Sequence, residues 1–194
     1  MAVLDWISGE SGPHLEGGGV VLRAPRMADY REWAELRAAS RAFLQPWEPT
    51  WPEDDLTRAA FRRRLGLYQR DRELGLGHAF FVIRKSDGAL VGGINLRNIM
   101  RGVAQSAAIG YWAGAAYARQ GHTSAALQAV IRFGFAGLTL HRLEAACCTD
   151  NEPSCRLLLK SGFRYEGIAQ SYLKINGIWR DHLLFGLIAD RAHG

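Results

Sequence analysis

The strongest constraint on the fold of this 194-residue chain is a long amphipathic segment between two short apolar ones. Over residues 121–138 apolar residues recur at the period of a helix with one buried face. The flanking segments, 104–112 and 141–148, have strand character. A strand–helix–strand unit should place its two strands in parallel with a right-handed crossover. The recurring positions are Leu127, Val130, Ile131, Gly134 and Leu138.

The remaining segments predict a fixed order of strands and helices. Asp87-Gly88 and Asn176-Gly177 are hairpin turn signals. The order is strand, two helices, three strands, helix, strand, helix and two strands, which favours a mixed α/β sheet with helices on both faces. The predicted strands cover residues 19–24, 78–84, 89–96, 104–112, 141–148, 163–175 and 178–188, and the predicted helices cover 27–42, 55–72, 121–138 and 151–161.

Two segments stand outside this pattern. Residues 1–18 are rich in Gly and Ser and are expected to form a flexible tail before one domain over 19–190. Residues 43–52 contain three prolines and two tryptophans, so we expect a loop. Trp47 and Trp51 would either close over a pocket as a lid or anchor the loop to the core, and the sequence leaves both open.

Composition excludes several classes of protein. No apolar run approaches the ~20 residues that a membrane span requires, and no secretory signal begins the chain, so a cytoplasmic protein is expected. Cys147, Cys148 and Cys155 are an odd number without CxxC spacing, which favours apolar packing over a metal or redox site. No metal is expected.

The net charge of +5 is concentrated in one predicted helix. Such a cluster indicates either an acidic partner, such as nucleic acid or a ribosomal surface, or a solvated helix face. No nucleic-acid motif with aromatic residues at set spacing accompanies it, so no specific nucleic-acid readout is expected. The arginines are Arg58, Arg62, Arg63, Arg64, Arg70 and Arg72.

Residues 117–124 link a predicted strand to the long helix. A loop that winds into a first helical turn directs several unpaired backbone N–H groups at one point, on the positive end of the helix dipole. Such a point suits a phosphate group, and Gly121 would allow a close approach of the backbone. This segment is neither a Walker loop nor a GxGxxG motif.

The segment resembles the pyrophosphate-binding motif of the GNAT acetyltransferase superfamily, Q/R-x-x-G-x-G/A, although Ala118 and Thr123 depart from it. Further motifs resemble the RimJ/RimL-type protein N-terminal acetyltransferases, over residues 19–190. The resemblance implies a mostly antiparallel, seven-stranded GNAT sheet with a splayed central cleft. The motifs are Ile109-Gly-Tyr-Trp112, Asn151-x-x-Ser154, Lys160-Ser-Gly-Phe163, Glu166-Gly167 and Asn176-Gly-x-Trp-x-Asp-His182.

The resemblance also implies a site for acetyl-CoA. The backbone of the Tyr111 strand should pair with the pantetheine arm, and Asn151 should hydrogen-bond the cofactor. Core packing of Tyr111 or Trp112, and a simple N-cap at Asn151, are the alternatives. The implied cofactor-binding residues are Tyr111, Trp112, Ala113, Arg119, Gln120, Gly121, His122, Thr123, Ser124 and Asn151.

By the same resemblance, Ser154 should protonate the departing thiolate. The glutamate that some RimL members place before the Asn-Gly turn is Leu173 here, so the general base is open. Glu166 ranks first among the candidates, although it could equally form a structural ion pair with an arginine. The other candidates are Asp181, His182 and Tyr172.

The expected reaction is direct attack of an amine on acetyl-CoA in a ternary complex. The implied acceptor is a protein N-terminus, in particular the alanine of a small-subunit ribosomal protein, which the basic helix would help to meet on a ribosomal particle. A small amine (an antibiotic, a polyamine or an amino acid) is the second interpretation, and a non-catalytic coenzyme A-binding module is the third. A homodimer is left open.

Overall fold

The fold is described from a computed structural model, in which residues 12–189 are described. Most of the predicted tail, residues 1–18, therefore lies outside the described residues. The strands are β1 (Leu15–Gly17), β2 (Val20–Arg23), β3 (His78–Arg84), β4 (Leu90–Met100), β5 (Ser106–Ala113), β6 (Arg142–Cys148), β7 (Arg164–Ile175) and β8 (Ile178–Ile188). The helices are α1 (Tyr30–Ala39), α2 (Arg41–Leu44), α3 (Arg58–Glu73), α4 (His122–Arg132) and α5 (Glu152–Lys160).

The described strands form one sheet in the order β1-β2-β3-β4-β5-β6-β8-β7. Its strands are antiparallel except for the pair β5 and β6, which is the parallel pair that the strand–helix–strand pattern predicts. The sheet has eight strands rather than the expected seven, because β1 pairs with β2. Leu15 is buried opposite Leu22. Residues 15–17 therefore form a strand, although their place in a Gly-rich segment had predicted a flexible tail.

Helices cover both faces of the sheet, as predicted. Phe80 belongs to the larger core, which contains Leu127 of α4 and Leu158 of α5. Its neighbour Phe81 belongs to a second core with Phe61 of α3. Successive side chains of a strand point to opposite faces, so α4 and α5 cover one face and α1 and α3 cover part of the other. We call the second face, where it extends beyond α1 and α3, the open face.

The centre of the sheet is split. Strands β5 and β6 pair only from Ser106–Arg142 to Ala108–Glu144. Beyond that point β5 stays paired with β4 as far as Ala113, and β6 stays paired with β8 as far as Cys148. The two strands therefore diverge, and β5 presents an edge of unpaired backbone groups to the gap. This gap is the splayed cleft that the family resemblance implies.

Candidate active site

Two hydroxyl groups meet across the gap. Tyr111 comes from the free edge of β5, and Ser154 lies in the first turn of α5; their oxygens are 2.7 Å apart. Burial raises the pKa of the Tyr111 phenol well above its usual value, so Tyr111 stays protonated at neutral pH. It can donate to the Ser154 oxygen and leave the serine proton available for another acceptor.

Asn151 fixes the start of α5. Its side-chain oxygen accepts a hydrogen bond from the backbone N–H of Ser154 at 3.2 Å. The N-cap interpretation of Asn151 is therefore correct. The side-chain nitrogen of Asn151 makes no hydrogen bond within the described residues, so its cap role leaves a donor for a ligand. Asn151 thus fixes the backbone from which the Ser154 side chain projects.

The loop before α4 forms a cradle of backbone donors. Arg119 and Gly121 have positive φ angles of 62° and 85°, which turn successive N–H groups toward one side. The first helical bond of this turn is donated by Ala125 to Gly121. Among the described residues, the six N–H groups from Arg119 to Ser124 donate to no protein acceptor. An anion at the N-terminus of α4 would satisfy them.

The side chains of Tyr111 and Trp112 point to opposite faces of β5. Tyr111 packs against the core under α4 and α5, whereas Trp112 packs in the second core against Gly93 of β4. Core packing is therefore the role of the Trp112 side chain. Ala113 pairs with Gly92 at the end of β5, so the contribution of Trp112 and Ala113 to the gap is their backbone.

The split sheet, the donor cradle and the hydroxyl pair lie at the carboxyl end of β5. Residues 20–164 match the family described as the acetyltransferase (GNAT) domain. The chain belongs to the GNAT acetyltransferase family.

Similar proteins of this family cover nearly the whole chain. A probable N-acetyltransferase of Bacillus subtilis, YjcK, is 33% identical over 90% of this chain and 96% of its own. The [ribosomal protein uS5]-alanine N-acetyltransferase of Escherichia coli is 32% identical over 87% of both chains. The structure of Mycobacterium smegmatis RimJ in complex with CoA-disulfide superimposes with a TM-score of 0.85, at 32% identity, over 95% of this chain and 89% of that one. The protein is an N-acetyltransferase of the RimJ/RimL type.

Glu166, the first-ranked candidate for the GNAT general base, does not reach the hydroxyl pair. Both of its carboxylate oxygens accept hydrogen bonds from Arg142, one of them at 2.8 Å. This pairing lowers the pKa of Glu166. Leu143 lies in the core under α4 and α5, so its neighbour Arg142 projects from the opposite face. The geometry therefore supports the ion-pair interpretation of Glu166, not its role as base.

The other candidate bases lie on the outer strands β7 and β8 of the GNAT sheet. Asp181 accepts a hydrogen bond from the backbone N–H of Ser171 at 2.7 Å. His182 is buried; its Nδ1 donates to the carbonyl oxygen of Arg180 at 2.9 Å, and its Nε2 lies 3.6 Å from the sulfur of Cys148. The ring of Tyr172 packs 5.6 Å from that of His182. None of the three forms a hydrogen bond with Ser154.

The cysteines have the packing role that the sequence indicates. All three are free thiols, and Cys147 and Cys148 are buried. Burial raises the pKa of Cys147, which lies beside Ser154, to about 11. Among residues 12–189 no group of three or more His, Cys, Asp or Glu side chains could hold a metal ion. In the same part of the chain, no helix combines the length and the apolar character that crossing a membrane requires.

Sequence reasoning missed the Tyr111 hydroxyl. It selected Tyr111 for its backbone, and the contact with Ser154 joins positions 43 residues apart. The short motif Ile109-Gly-Tyr-Trp112 is the one signal that could have indicated it. Alternation along β5 predicts that the two aromatic rings lie on opposite faces of the sheet, but not which ring shares the face of Ser154.

Proposed function

We propose that this protein acetylates the N-terminal amino group of another protein, with acetyl-CoA as donor. The observation that carries the proposal is the placement of the donor cradle and the Tyr111–Ser154 pair along one free strand edge. The similarity to the uS5-alanine N-acetyltransferase supports the alanine of a small-subunit ribosomal protein as the acceptor. We assign the activity to one domain over residues 19–190 of a cytoplasmic enzyme.

The residues present fit acetyl-CoA. The six free N–H groups of 119–124 suit its pyrophosphate, and the free edge of β5 suits the amides of its pantetheine arm. When bound, acetyl-CoA supplies an acetyl group activated as a thioester. A backbone N–H of β5 at the gap would stabilise negative charge on the acetyl oxygen. Ser154 would donate its proton to the leaving sulfur, and the proton lost by the amine, passed on through water, would restore the serine hydroxyl. Tyr111 would keep its own proton and hold the Ser154 oxygen by a hydrogen bond.

Within the described residues no carboxylate hydrogen-bonds to Ser154 or Tyr111, which favours an α-amino group over a lysine as the acceptor. An α-amino group has a pKa of about 7.7–8.0, so about a third is neutral near pH 7.5 without a strong base. A lysine amine, at about 10.4, is neutral about once in a thousand molecules at that pH. Direct attack is also favoured, because Cys147, whose pKa is near 11, is a thiol rather than a nucleophilic thiolate at neutral pH.

The test is thiol release from acetyl-CoA with a panel of amines. The panel contains short peptides that begin with Ala, Ser or Met, a peptide that begins with acetyl-Ala, spermidine and an aminoglycoside. We expect turnover with the free Ala and Ser peptides and none with the blocked peptide. Turnover with spermidine or the aminoglycoside alone would contradict a protein acceptor, and binding of acetyl-CoA without turnover on any amine would contradict catalysis.

A further inference from the structure

A short segment spans the gap on the open face of the sheet. We call residues 45–51 the bridge segment. On one side, the carbonyl oxygen of Glu48 accepts a hydrogen bond at 2.9 Å from the N–H of Asn176, in the β7–β8 turn. On the other side, the Glu48 carboxylate binds Arg37 of α1. Strands β5 and β8 lie on opposite sides of the gap, so the bridge segment connects the two walls of the cleft.

Arg37 joins the bridge segment to the donor strand. Its side chain donates two hydrogen bonds to Glu48, at 2.8 and 2.7 Å, one to each carboxylate oxygen. Its guanidinium carbon lies 4.2 Å from the ring centroid of Trp51 and 5.0 Å from that of Trp112. The Trp51 ring nitrogen donates to the same carboxylate at 2.7 Å. Trp51 is therefore an anchor of this segment.

The pairing is well shielded from water, since Arg37 is only 6% exposed. A two-pronged arginine–carboxylate pair fixes both distance and orientation. Removing one partner of such a pair leaves a desolvated charge without a counter-charge and loosens what the pair holds. Glu48 thus carries the contacts that tie three separate parts of the chain together: α1, Trp51 and the turn at Asn176.

We propose that Arg37 and Glu48 are positioning residues for the acceptor. Helices α4 and α5 cover the Ser154 side of the gap, so an amine approaches Ser154 from the open face, where the bridge segment lies. Arg37 and Glu48 hold this segment as one wall of the acceptor entrance. The inference rests on the proposed function, because it assumes that an amine is the substrate that enters there.

The donor side should not depend on this pair. Trp112 is held by backbone pairing with Gly93, and the cradle at 119–124 belongs to the α4 turn. Loss of the Arg37–Glu48 pair should therefore affect the acceptor alone. A role in overall stability, by contrast, would weaken donor and acceptor binding together.

The experiment compares Glu48→Gln and Arg37→Met with the wild type and with Glu35→Gln. Glu35 forms an exposed ion pair with Arg31 on the same helix at 2.8 Å, so its substitution is a matched control. For Glu48→Gln and Arg37→Met we expect kcat/KM for an alanine-starting peptide to fall at least about tenfold, mainly through KM. Acetyl-CoA affinity, measured by calorimetry, should stay within about twofold, and Glu35→Gln should match the wild type.

Arg37→Lys refines the test, because lysine keeps the charge but lacks the two-pronged geometry. We expect it to restore less than half of the lost kcat/KM. An unchanged peptide KM in Glu48→Gln would overturn the inference, as would a parallel loss of acetyl-CoA affinity. If Arg37→Met does not fold, Glu48→Gln decides. A wild-type enzyme that turns over no peptide but acetylates small amines refutes the proposed function instead, and the same variants then test the wall with that amine.

Discussion

At the scale of single residues, the chemistry rests on two hydroxyl groups. The oxygens of Tyr111 and Ser154 lie 2.7 Å apart, with Tyr111 on a strand and Ser154 on a helix whose N-cap is Asn151. Because burial raises the pKa of Tyr111, the pair holds its protons at neutral pH. A protonated pair beside the gap is suited to protonating a leaving group, and it is not suited to removing a proton from the amine.

Replacement of Ser154 by alanine should therefore slow the chemical step without weakening donor binding. We expect kcat of Ser154→Ala to fall about 100-fold, which is typical for loss of a general acid. Tyr111→Phe should have a smaller effect, of about tenfold, because Ser154 keeps its proton and loses only the hydrogen bond that orients it. Steady-state kinetics with a saturating peptide measure both, and acetyl-CoA affinity by calorimetry is the control. A Ser154→Ala enzyme with the wild-type kcat would remove serine from the mechanism.

At the scale of elements, the donor cradle at the N-terminus of α4 consists of backbone groups rather than side chains. Its six free N–H groups depend on a chain direction that Gly121 sets with a φ of 85°. Among the described residues, apart from its two chain neighbours, nothing lies within 4 Å of the position that a Cβ would take there, so steric room is not the constraint. The constraint is the left-handed conformation, which residues with a Cβ adopt at a cost of roughly 1–2 kcal/mol.

Gly121→Ala should for this reason lose both stability and donor affinity. We expect the free energy of unfolding to fall by about 1 kcal/mol and the Kd for acetyl-CoA to rise about fivefold, as the N–H groups turn away from the anion. Gly88→Ala is the matched control: Gly88 has a φ of 76°, also with open space around it, in the β3–β4 turn. It should lose similar stability and bind acetyl-CoA like the wild type. Equal Kd values for both variants would show that the cradle does not hold the donor.

At the scale of the whole molecule, fewer arginines of α3 are free to face an acidic partner than the sequence indicates. Within the described residues, Arg63 pairs with Asp54, Arg64 pairs with Asp55, and Arg58 lies over the ring of Tyr30. Arg62 and Arg70 are the exposed arginines of α3 that have no partner in that part of the chain. The contribution of α3 to an attraction by an acidic particle would therefore depend mainly on these two arginines.

The salt dependence of kcat/KM should show whether these arginines attract an acidic particle. We expect kcat/KM for a complete ribosomal particle to fall at least about threefold between about 0.05 M and about 0.5 M salt, because screening shortens the range of charge steering. A neutral alanine-starting peptide should show little change. The double variant Arg62→Gln/Arg70→Gln should lose most of the salt dependence, whereas Arg31→Gln/Lys85→Gln, whose residues pair with Glu35 and Glu16, should keep it. Equal slopes for the two double variants would favour the solvated-face interpretation of α3.

The sequence by itself determined the parts of this protein that depend on neighbours along the chain. The period of residues 121–138 predicted α4 and the parallel pair around it, and Asn176-Gly177 marked the β7–β8 turn. Gly121 at a helix start indicated the donor cradle, which depends on local backbone geometry. Such features can be predicted from the sequence because their interactions are between near neighbours or recur with a fixed period.

The tertiary structure alone decided which distant side chains meet. Strand register determines the face of every residue, so the sequence could not show that Glu166 lies with Arg142 on the face opposite Ser154. Leu15 belongs to a strand because it pairs with Leu22 of β2. The contacts of Tyr111 with Ser154 and of Arg37 with Glu48 depend on loops and helix placement, which no periodic pattern encodes. Local sequence patterns therefore determine the helices, strands and turns that carry the site, whereas tertiary packing determines which side chains meet in it.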